Sequence, residues 1–167
     1  QVNLKLDLFK LKINIKTLGP KIISKNKELE IESIKSKISI ISLFKNEFLI
    51  QNIDISTKSI NVEDLIAFTK TFHNKPQILI LEKLFQVKGF IIADLKIDFD
   101  SEGNIKKNYS AKGYAKDIEL NLLNDYKLDE LNFVFKFGKN EFQFKDIDFS
   151  LNDIDFLSKT INVKKNE

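Results

Sequence analysis

The feature that most constrains this chain is an internal repeat whose hydrophobic alternation slips by one residue at the same place twice. Lys45 to Ser56 reads KNEFLIQNIDIS and Lys139 to Ser150 reads KNEFQFKDIDFS, identical at seven of twelve positions. Farther on, Thr57 to Val62 (TKSINV) is echoed by Ser158 to Val163 (SKTINV). Such repetition implies one structural unit used again. Within each copy apolar residues recur at every second position, as in half-buried strands. Phe48 and Ile50 share a parity in the first copy, as do Phe142 and Phe144 in the second. Both copies then change parity, to Ile53 and Ile55 and to Ile147, Phe149 and Leu151. A one-residue slip inside an alternating run reads as a bulge or short bend. The expectation is a repeated β unit with a sheet built around it.

The rest of the chain supplies that sheet. Val2 to Lys16 alternates in two phases, as one strand with a bulge near Leu8–Phe9 or as two short strands. Leu18-Gly19-Pro20 breaks the pattern, because proline cannot donate to a ladder and glycine permits the turn. Ser24 to Lys27 is a second polar turn. Leu29 to Ile41 is a long strand with its own change of phase, Leu29 and Ile31 against Ile34, Ile38 and Ile40, and Ser42 to Asn46 connects it to the first repeat copy. From Val62 the period becomes helical. Glu63 and Asp64 suit a helix N-terminus, and Leu65, Ile66, Phe68, Thr69 and Phe72 form a stripe ended by Asn74 and Pro76, which predicts one helix over Glu63 to His73. Gln77 to Phe85 fits a buried strand or a short helix, with strand favoured. Strands follow at Gln86 to Phe99, Tyr109 to Leu122, Leu128 to Phe137 and Phe156 to Val163. Asp100 to Asn104 (DSEGN) is a hairpin turn, Asn124-Asp125 turns the next strand, and Gly138-Lys139-Asn140 leads into the second copy.

Sequential strands joined by short turns make an antiparallel meander. Nine to eleven strands at ~4.8 Å spacing span ~45 Å, too wide to stay flat. The predicted fold is therefore mainly β: a long, strongly curved antiparallel meander, an open β-groove, with one short helix. It is expected to be a single segment over residues 1–167, with repeat-like units at about 28–62 and 128–163 and the helix at about 63–73.

Composition closes off several classes of function. All 27 basic residues are Lys, balanced by 24 acids to a net charge of +3. The two signs interleave along every strand, as on a solvated face, and not in the basic stripe of a nucleic-acid binder. No cysteine is present for disulfides or thiolate sites, and no apolar run approaches the ~18 residues of a spanning helix. The absence of Met leaves no initiator, so a processed product or a piece of something longer is expected.

Chemistry-bearing motifs are equally sparse. His73 is the single histidine, at the end of a predicted surface helix, and no nucleophile elbow, phosphate loop or paired metal-ligand motif accompanies it. Asp98 to Ile105 resembles the start of a calcium loop, but the closing twelfth position is Tyr109 and both flanks read as strands. Asp146/Asp148 and Asp153/Asp155 have i, i+2 spacing, which puts each pair on one solvated strand face. No catalytic residue, metal ligand or cofactor is expected, and the chain is read as a non-enzyme.

What remains is the apolar stripes: Ile38, Ile40, Phe48, Ile50, Ile53, Ile55, Leu95, Ile97, Phe99, Phe133, Phe135, Phe137, Phe142, Phe144, Ile147 and Phe149. They form either the core of a closed sandwich or the lining of an open groove that holds acyl chains. Burying ~16 methylenes at ~0.8 kcal/mol each gives ~13 kcal/mol before ordering costs, so such a trough needs no specific polar contacts. An outer-membrane barrel fits less well, lacking aromatic girdles and interrupted by a helix.

Two stretches carry a resemblance: SIKSKISIISLFKNEFLIQNIDISTKSINVEDLIAF, and KGFIIADLKIDFDSEGNIKKNYSAKGYAKDIEL with its glycines at the strand starts, Gly89 and Gly113. Their alternation, N-I-D and D-I-D steps and strand–helix order resemble the AsmA-like family (AsmA, TamB and YhdP types) of Gram-negative envelope proteins. The resemblance covers Glu28 to Phe68 and Val87 to Val163 most clearly. It implies a long periplasmic β-groove, anchored in the inner membrane by a helix outside this segment and continued by neighbouring β-segments of the same chain. Its function would be to hold phospholipid or another acyl lipid for transfer toward the outer membrane, and its only site residues are the apolar positions above. The alternative is a non-catalytic scaffolding β-domain in envelope biogenesis, with a closed core.

Overall fold

The computed structural model describes residues 1–72, 86–106, 108–122 and 126–164. Eleven strands form one antiparallel sheet: β1 (Val2–Asp7), β2 (Lys12–Leu18), β3 (Lys21–Ser24), β4 (Lys27–Ser39), β5 (Ile50–Thr57), β6 (Ile60–Asn61), β7 (Lys88–Asp98), β8 (Ser110–Leu122), β9 (Tyr126–Phe137), β10 (Glu141–Leu151) and β11 (Ile154–Lys164). Helix α1 spans Ile40–Phe44 and helix α2 spans Val62–Lys70.

The sheet is a meander in the order β1-β2-β4-β5-β7-β8-β9-β10-β11. It is nine columns wide, because β3 and β6 prolong neighbouring strands instead of adding columns. β2 pairs with the second half of β4 and β3 with its first half, while Gly19 donates to the Glu32 carbonyl and Ile31 to the Pro20 carbonyl across the join. β5 and β6 likewise follow one another along β7. Nine columns put the outer strands ~38 Å apart. Among the described residues no strand pairs with the outer edge of β1 or β11, so the sheet is open and does not close on itself.

The phase slips of the sequence are bulges, and they recur across the sheet. In β4 the register shifts between Ile31 and Ser33, and in β5, inside the first repeat copy, it shifts between Ile50 and Asn52. In β10 it shifts between Lys145 and Asp148. Two further strands do the same where the sequence reading found no slip: β8 between Ala115 and Ile118, and β9 between Leu128 and Leu131. Each bulge places two polar residues between apolar ones three apart, as in Ala115-Lys116-Asp117-Ile118, Leu128-Asp129-Glu130-Leu131 and Phe144-Lys145-Asp146-Ile147. In these three the second polar residue takes a left-handed conformation, with φ of 52° at Asp117, 53° at Glu130 and 50° at Asp146. The extra residue restores the inward face after the slip, so one face stays apolar along the whole strand. Asp146 is the left-handed residue of the β10 bulge, and Asp148 follows it on the strand. Asp153 lies in the β10–β11 turn with φ of 64°, apart from the strand that carries Asp155.

Asn132 stitches the three adjoining bulges together. Its Oδ1 accepts from the Asp117 amide at 2.9 Å, and its Nδ2 donates to the Glu130 carbonyl at 2.7 Å and to Asp148 Oδ2 at 3.0 Å. One side chain thus joins β8, β9 and β10.

Among the described residues two helices are present where the sequence predicts one. α1 replaces the end of the expected strand and the Ser42–Asn46 connection. The Ile40-Ile41 alternation reads as strand, but buried Ser39 accepts from the Ser42 amide at 3.1 Å and caps a short helix that turns the chain toward β5. α2 begins as expected, with Glu63 and Asp64 in its first turn, and ends at Lys70 with Thr71 as C-cap, short of the predicted His73. Thr69 and Thr71 turn their hydroxyls back to the Leu65 and Phe68 carbonyls, which satisfies acceptors near the end of the helix. His73, the Gln77–Phe85 segment and the Asn124-Asp125 turn lie outside the described residues.

α2 packs on the apolar face at one end of the sheet. Phe68, with Leu65 beside it, lies against Leu29, Ile31 and Ile60; Val62 and Ile66 lie against Val87, Ala115 and Ile118. These two clusters hold most of the buried apolar residues, and Ile31, at 2% exposure, is their most enclosed side chain.

Candidate functional site

Strand register converts the sequence stripes into rows that cross the sheet. One row runs through all nine columns: Val2, Thr17, Ile34, Ile55, Leu95, Ala111, Phe137, Phe142 and Val163. Parallel to it run Leu4, Ile15, Ser36, Ile53 and Ile97 on one side, and Ala93, Gly113, Phe135, Phe144 and Ile161 on the other. Directly paired residues share a face, so all three rows belong to the face that α2 covers at one end.

Most of the expected site residues converge here. Ile38, Ile50, Ile53, Ile55, Leu95, Ile97, Phe133, Phe135, Phe137, Phe142 and Phe144 lie on this face by direct pairing. Leu151 pairs with Leu128 and Leu128 with Leu120, and alternation then brings Phe149 and Ile147 to the same side. Two residues are placed differently. Ile40 belongs to α1, and Phe48 precedes β5 in an irregular segment, where it packs on Phe99 at 5.6 Å between ring centroids. Both positions follow from the chain leaving the sheet between β4 and β5.

An aromatic patch occupies the β8–β10 part of the face. Phe135 and Phe137 stack at 4.9 Å, and Phe144 meets Phe133 at 5.6 Å and Phe137 at 5.7 Å, both edge-on. Phe142 joins at 5.4 Å from Phe137. Phe135 is only 4% exposed because its ring lies over Gly113, where an added Cβ would come within 2.6 Å of the Phe135 Cζ. The sequence reading placed Gly113 at a strand start; it is the fourth residue of β8, and its role is this close approach. A small residue opposite a large aromatic was the signal available. Farther along, Phe149 and Phe156 stack at 5.0 Å.

Away from α2 no second layer of the described residues covers the face. Ile15, Ile38, Ile53, Ile97, Phe137 and Phe144 are half-buried, while Leu4, Phe142, Ile161 and Val163 are exposed. A one-sided apolar surface of this breadth on a single sheet departs from the ordinary scatter of surface hydrophobics.

The opposite face is polar and cationic over much of its breadth, though Ile92, Tyr114 and Val134 form an exposed apolar row on it across β7, β8 and β9. Its polar rows read Asn3, Lys16, Lys35, Asp54, Lys96 and Ser110, and Lys5, Asn14, Lys37, Asn52 and Asp98. Lys35, Lys96, Lys112 and Lys136, with Asp54 and Asp94, line a depression of about 310 Å³ there. A second depression of about 390 Å³ lies over Lys5, Lys16, Lys35 and Lys37.

Several exposed groups off the apolar face titrate away from their ordinary values. Asp100 is held below the usual aspartate range chiefly by the Asn104 backbone amide, with the Glu102 and Gly103 amides and the Asn104 side chain adding to it. Its carboxylate is therefore occupied by the turn's own donors, at 2.9 Å from the Glu102 and Asn104 amides. Glu30 is lowered by its hydrogen bond to Lys58, Lys21 is raised by its bond to Glu28, and Lys127 by its bond to Asp129. Among the described residues no group of three His, Cys, Asp or Glu side chains could hold a metal ion, and no helix is long and apolar enough to cross a membrane.

No protein-family model, curated protein or solved structure matches this chain.

Proposed function

We propose that this chain is a segment of a bridge-like lipid carrier whose apolar sheet face holds the acyl chains of phospholipid or a similar lipid. The observation that carries the reading is a row, apolar but for Thr17, that runs through all nine columns of an open sheet and lies uncovered away from α2. An acyl chain needs a continuous greasy track and few polar contacts, and each methylene taken from water contributes ~0.8 kcal/mol. The open edges at β1 and β11 suit a track extended by neighbouring β-segments. This is the architecture implied by the AsmA-like resemblance, which carries with it the periplasmic setting and the transfer of lipid toward the outer membrane. Lipid selection on such a surface rests on chain length and number, since the described residues of the face present no polar cluster to grip a headgroup.

The test is native mass spectrometry of protein purified from a Gram-negative host, with extraction and identification of bound lipid. Co-purifying phospholipid is expected. Phe142→Asp with Ile161→Asp removes two exposed members of the face and is expected to abolish lipid retention while far-ultraviolet circular dichroism stays unchanged. Phe135 is a poor choice for this purpose, because its burial over Gly113 makes it structural. A folded wild-type protein that neither carries nor takes up lipid would reject the proposal, as would full retention by the double variant.

A further inference from the structure

The turn between β1 and β2 breaks the usual chemistry of hairpin turns. Its four residues are Leu8, Phe9, Lys10 and Leu11, where Gly, Asn, Asp or Ser is the rule. Leu8 is 68% exposed, the Phe9 ring is fully exposed, and Leu11 takes φ of 46°, a left-handed conformation normally left to Gly or Asn. Helix α1 lies beside this turn, since the Ile40 amide donates to the Leu11 carbonyl at 2.8 Å. α1 adds exposed Ile41 and Phe44, the latter at 82%. Apolar side chains from two separate elements thus project from one end of the sheet, at the end opposite α2.

The charge around them is positive. Lys10 lies in the turn, Lys12 opens β2 and Lys45 follows α1, while Lys5 and Lys37 occupy the next row of the polar face. None of these five enters an ion pair among the described residues. The acids beside the turn and α1 are Asp7, which accepts from the Lys10 amide, and Glu47, which accepts from the Ser42 hydroxyl; on the far side of α1, where the Phe48 amide donates to the Ser101 carbonyl, lie Asp98, Asp100 and Glu102. Around the β1–β2 turn itself Lys5, Lys10, Lys12 and Lys37 stand against Asp7 alone, four cations to one acid and a local charge of +3, while the acids of the 98–102 turn lie beyond α1.

We propose that this rim, the Leu8–Leu11 turn together with α1, docks on an anionic lipid bilayer. Leu8, Phe9 and Phe44 enter the interfacial region, and the lysines reach the headgroups with their stems along the apolar boundary. Apolar residues ringed by unpaired cations match a surface that is apolar beneath and anionic above. A second copy of the chain is a poorer occupant, since it would bring two sets of like charges together. The site is separate from the sheet face and stands whether or not that face carries acyl chains.

The chain has no Trp, so Phe9→Trp provides a single fluorophore at the tip. Leu157→Trp, at an exposed position on β11 at the far edge of the sheet, is the control. Both are titrated with vesicles of phosphatidylcholine and of mixed phosphatidylcholine–phosphatidylglycerol. The expected result is a blue shift of the tip fluorophore on anionic vesicles only, weakened by salt, with the control silent. Each lysine removed from the rim should lower partitioning about fivefold, and Leu8→Ser with Phe9→Ser at least about tenfold. These residues are exposed, and circular dichroism verifies that the variants fold. Equal shifts of both fluorophores, no shift of either, or wild-type partitioning of the double Ser variant would overturn the proposal. A vesicle-free blue shift that grows with protein concentration would overturn it in favour of self-association.

Discussion

Asn132 offers the sharpest test of how the sheet keeps one face apolar. Asn132→Ala removes three hydrogen bonds at once and leaves the Asp117 amide and the Glu130 carbonyl without their partner. At ~0.5–1.5 kcal/mol net for each bond, the nominal loss is roughly 1.5–4.5 kcal/mol. Two of the bonds lie at exposed positions where water substitutes, so the expected destabilisation is ~1–2 kcal/mol. For a chain of this size that corresponds to a fall of ~2–8 °C in Tm. Urea and thermal melts followed by far-ultraviolet circular dichroism measure it. Asn132→Asp adds a charge-dependent arm. It keeps an acceptor for the Asp117 amide but replaces a donor 3.0 Å from Asp148 Oδ2 by a second carboxylate. Repulsion favours protonation of the introduced group in the folded state, so the fold gains protons relative to the unfolded chain. The deficit of this variant should therefore be largest near neutral pH and shrink as pH falls through the carboxylate range. Asn132→Ala within ~0.5 kcal/mol of wild type, or a deficit of Asn132→Asp that does not change with pH, would refute the idea that this side chain holds the bulges together.

Gly113→Ala should cost at least ~2 kcal/mol, because the new Cβ would lie 2.1 Å from the Ile92 carbonyl oxygen as well as against the Phe135 ring. Phe135→Leu should not rescue it in urea melts, since the backbone conflict remains. Asp100→Ala should destabilise the protein at neutral pH, and the difference should vanish in acid. With the folded-state pKa depressed, the carboxylate contributes above its unfolded pKa and loses that contribution as pH falls through the folded value. Acid-unfolding curves of the two proteins would then converge. Ser39→Ala removes the α1 cap and should cost ~1 kcal/mol by chemical denaturation.

Much of the β architecture was legible because half-buried strands announce themselves by a period of two. The Gly19-Pro20 break and the DSEGN turn, where Gly103 has φ of 89°, fall where turn chemistry puts them. The start of α2 follows from its acidic first turn. α1 was not legible, since Ile40-Ile41 carries β-branched residues in a continuing alternation. Only the need to turn toward β5, with Ser39 as cap, makes that stretch a helix.

The slips in β4 and in the two repeat copies were visible, but local sequence could not say that residues on either side of each slip return to one face. That depends on which partner strand sets the register. For the same reason the slips in β8 and β9 went unread: Ala115–Ile118 and Leu128–Leu131 look like ordinary irregularities until pairing aligns them with Asp146 in β10. The sequence by itself determined an alternating, turn-punctuated chain with an apolar and a polar set of residues, because alternation is a property of neighbours two positions apart. Tertiary structure alone decided that the sheet stays open, that α2 covers one end of the apolar face, and that nine columns align into one row that is apolar but for Thr17. Those outcomes rest on pairings between residues far apart in the chain, and no local period encodes them.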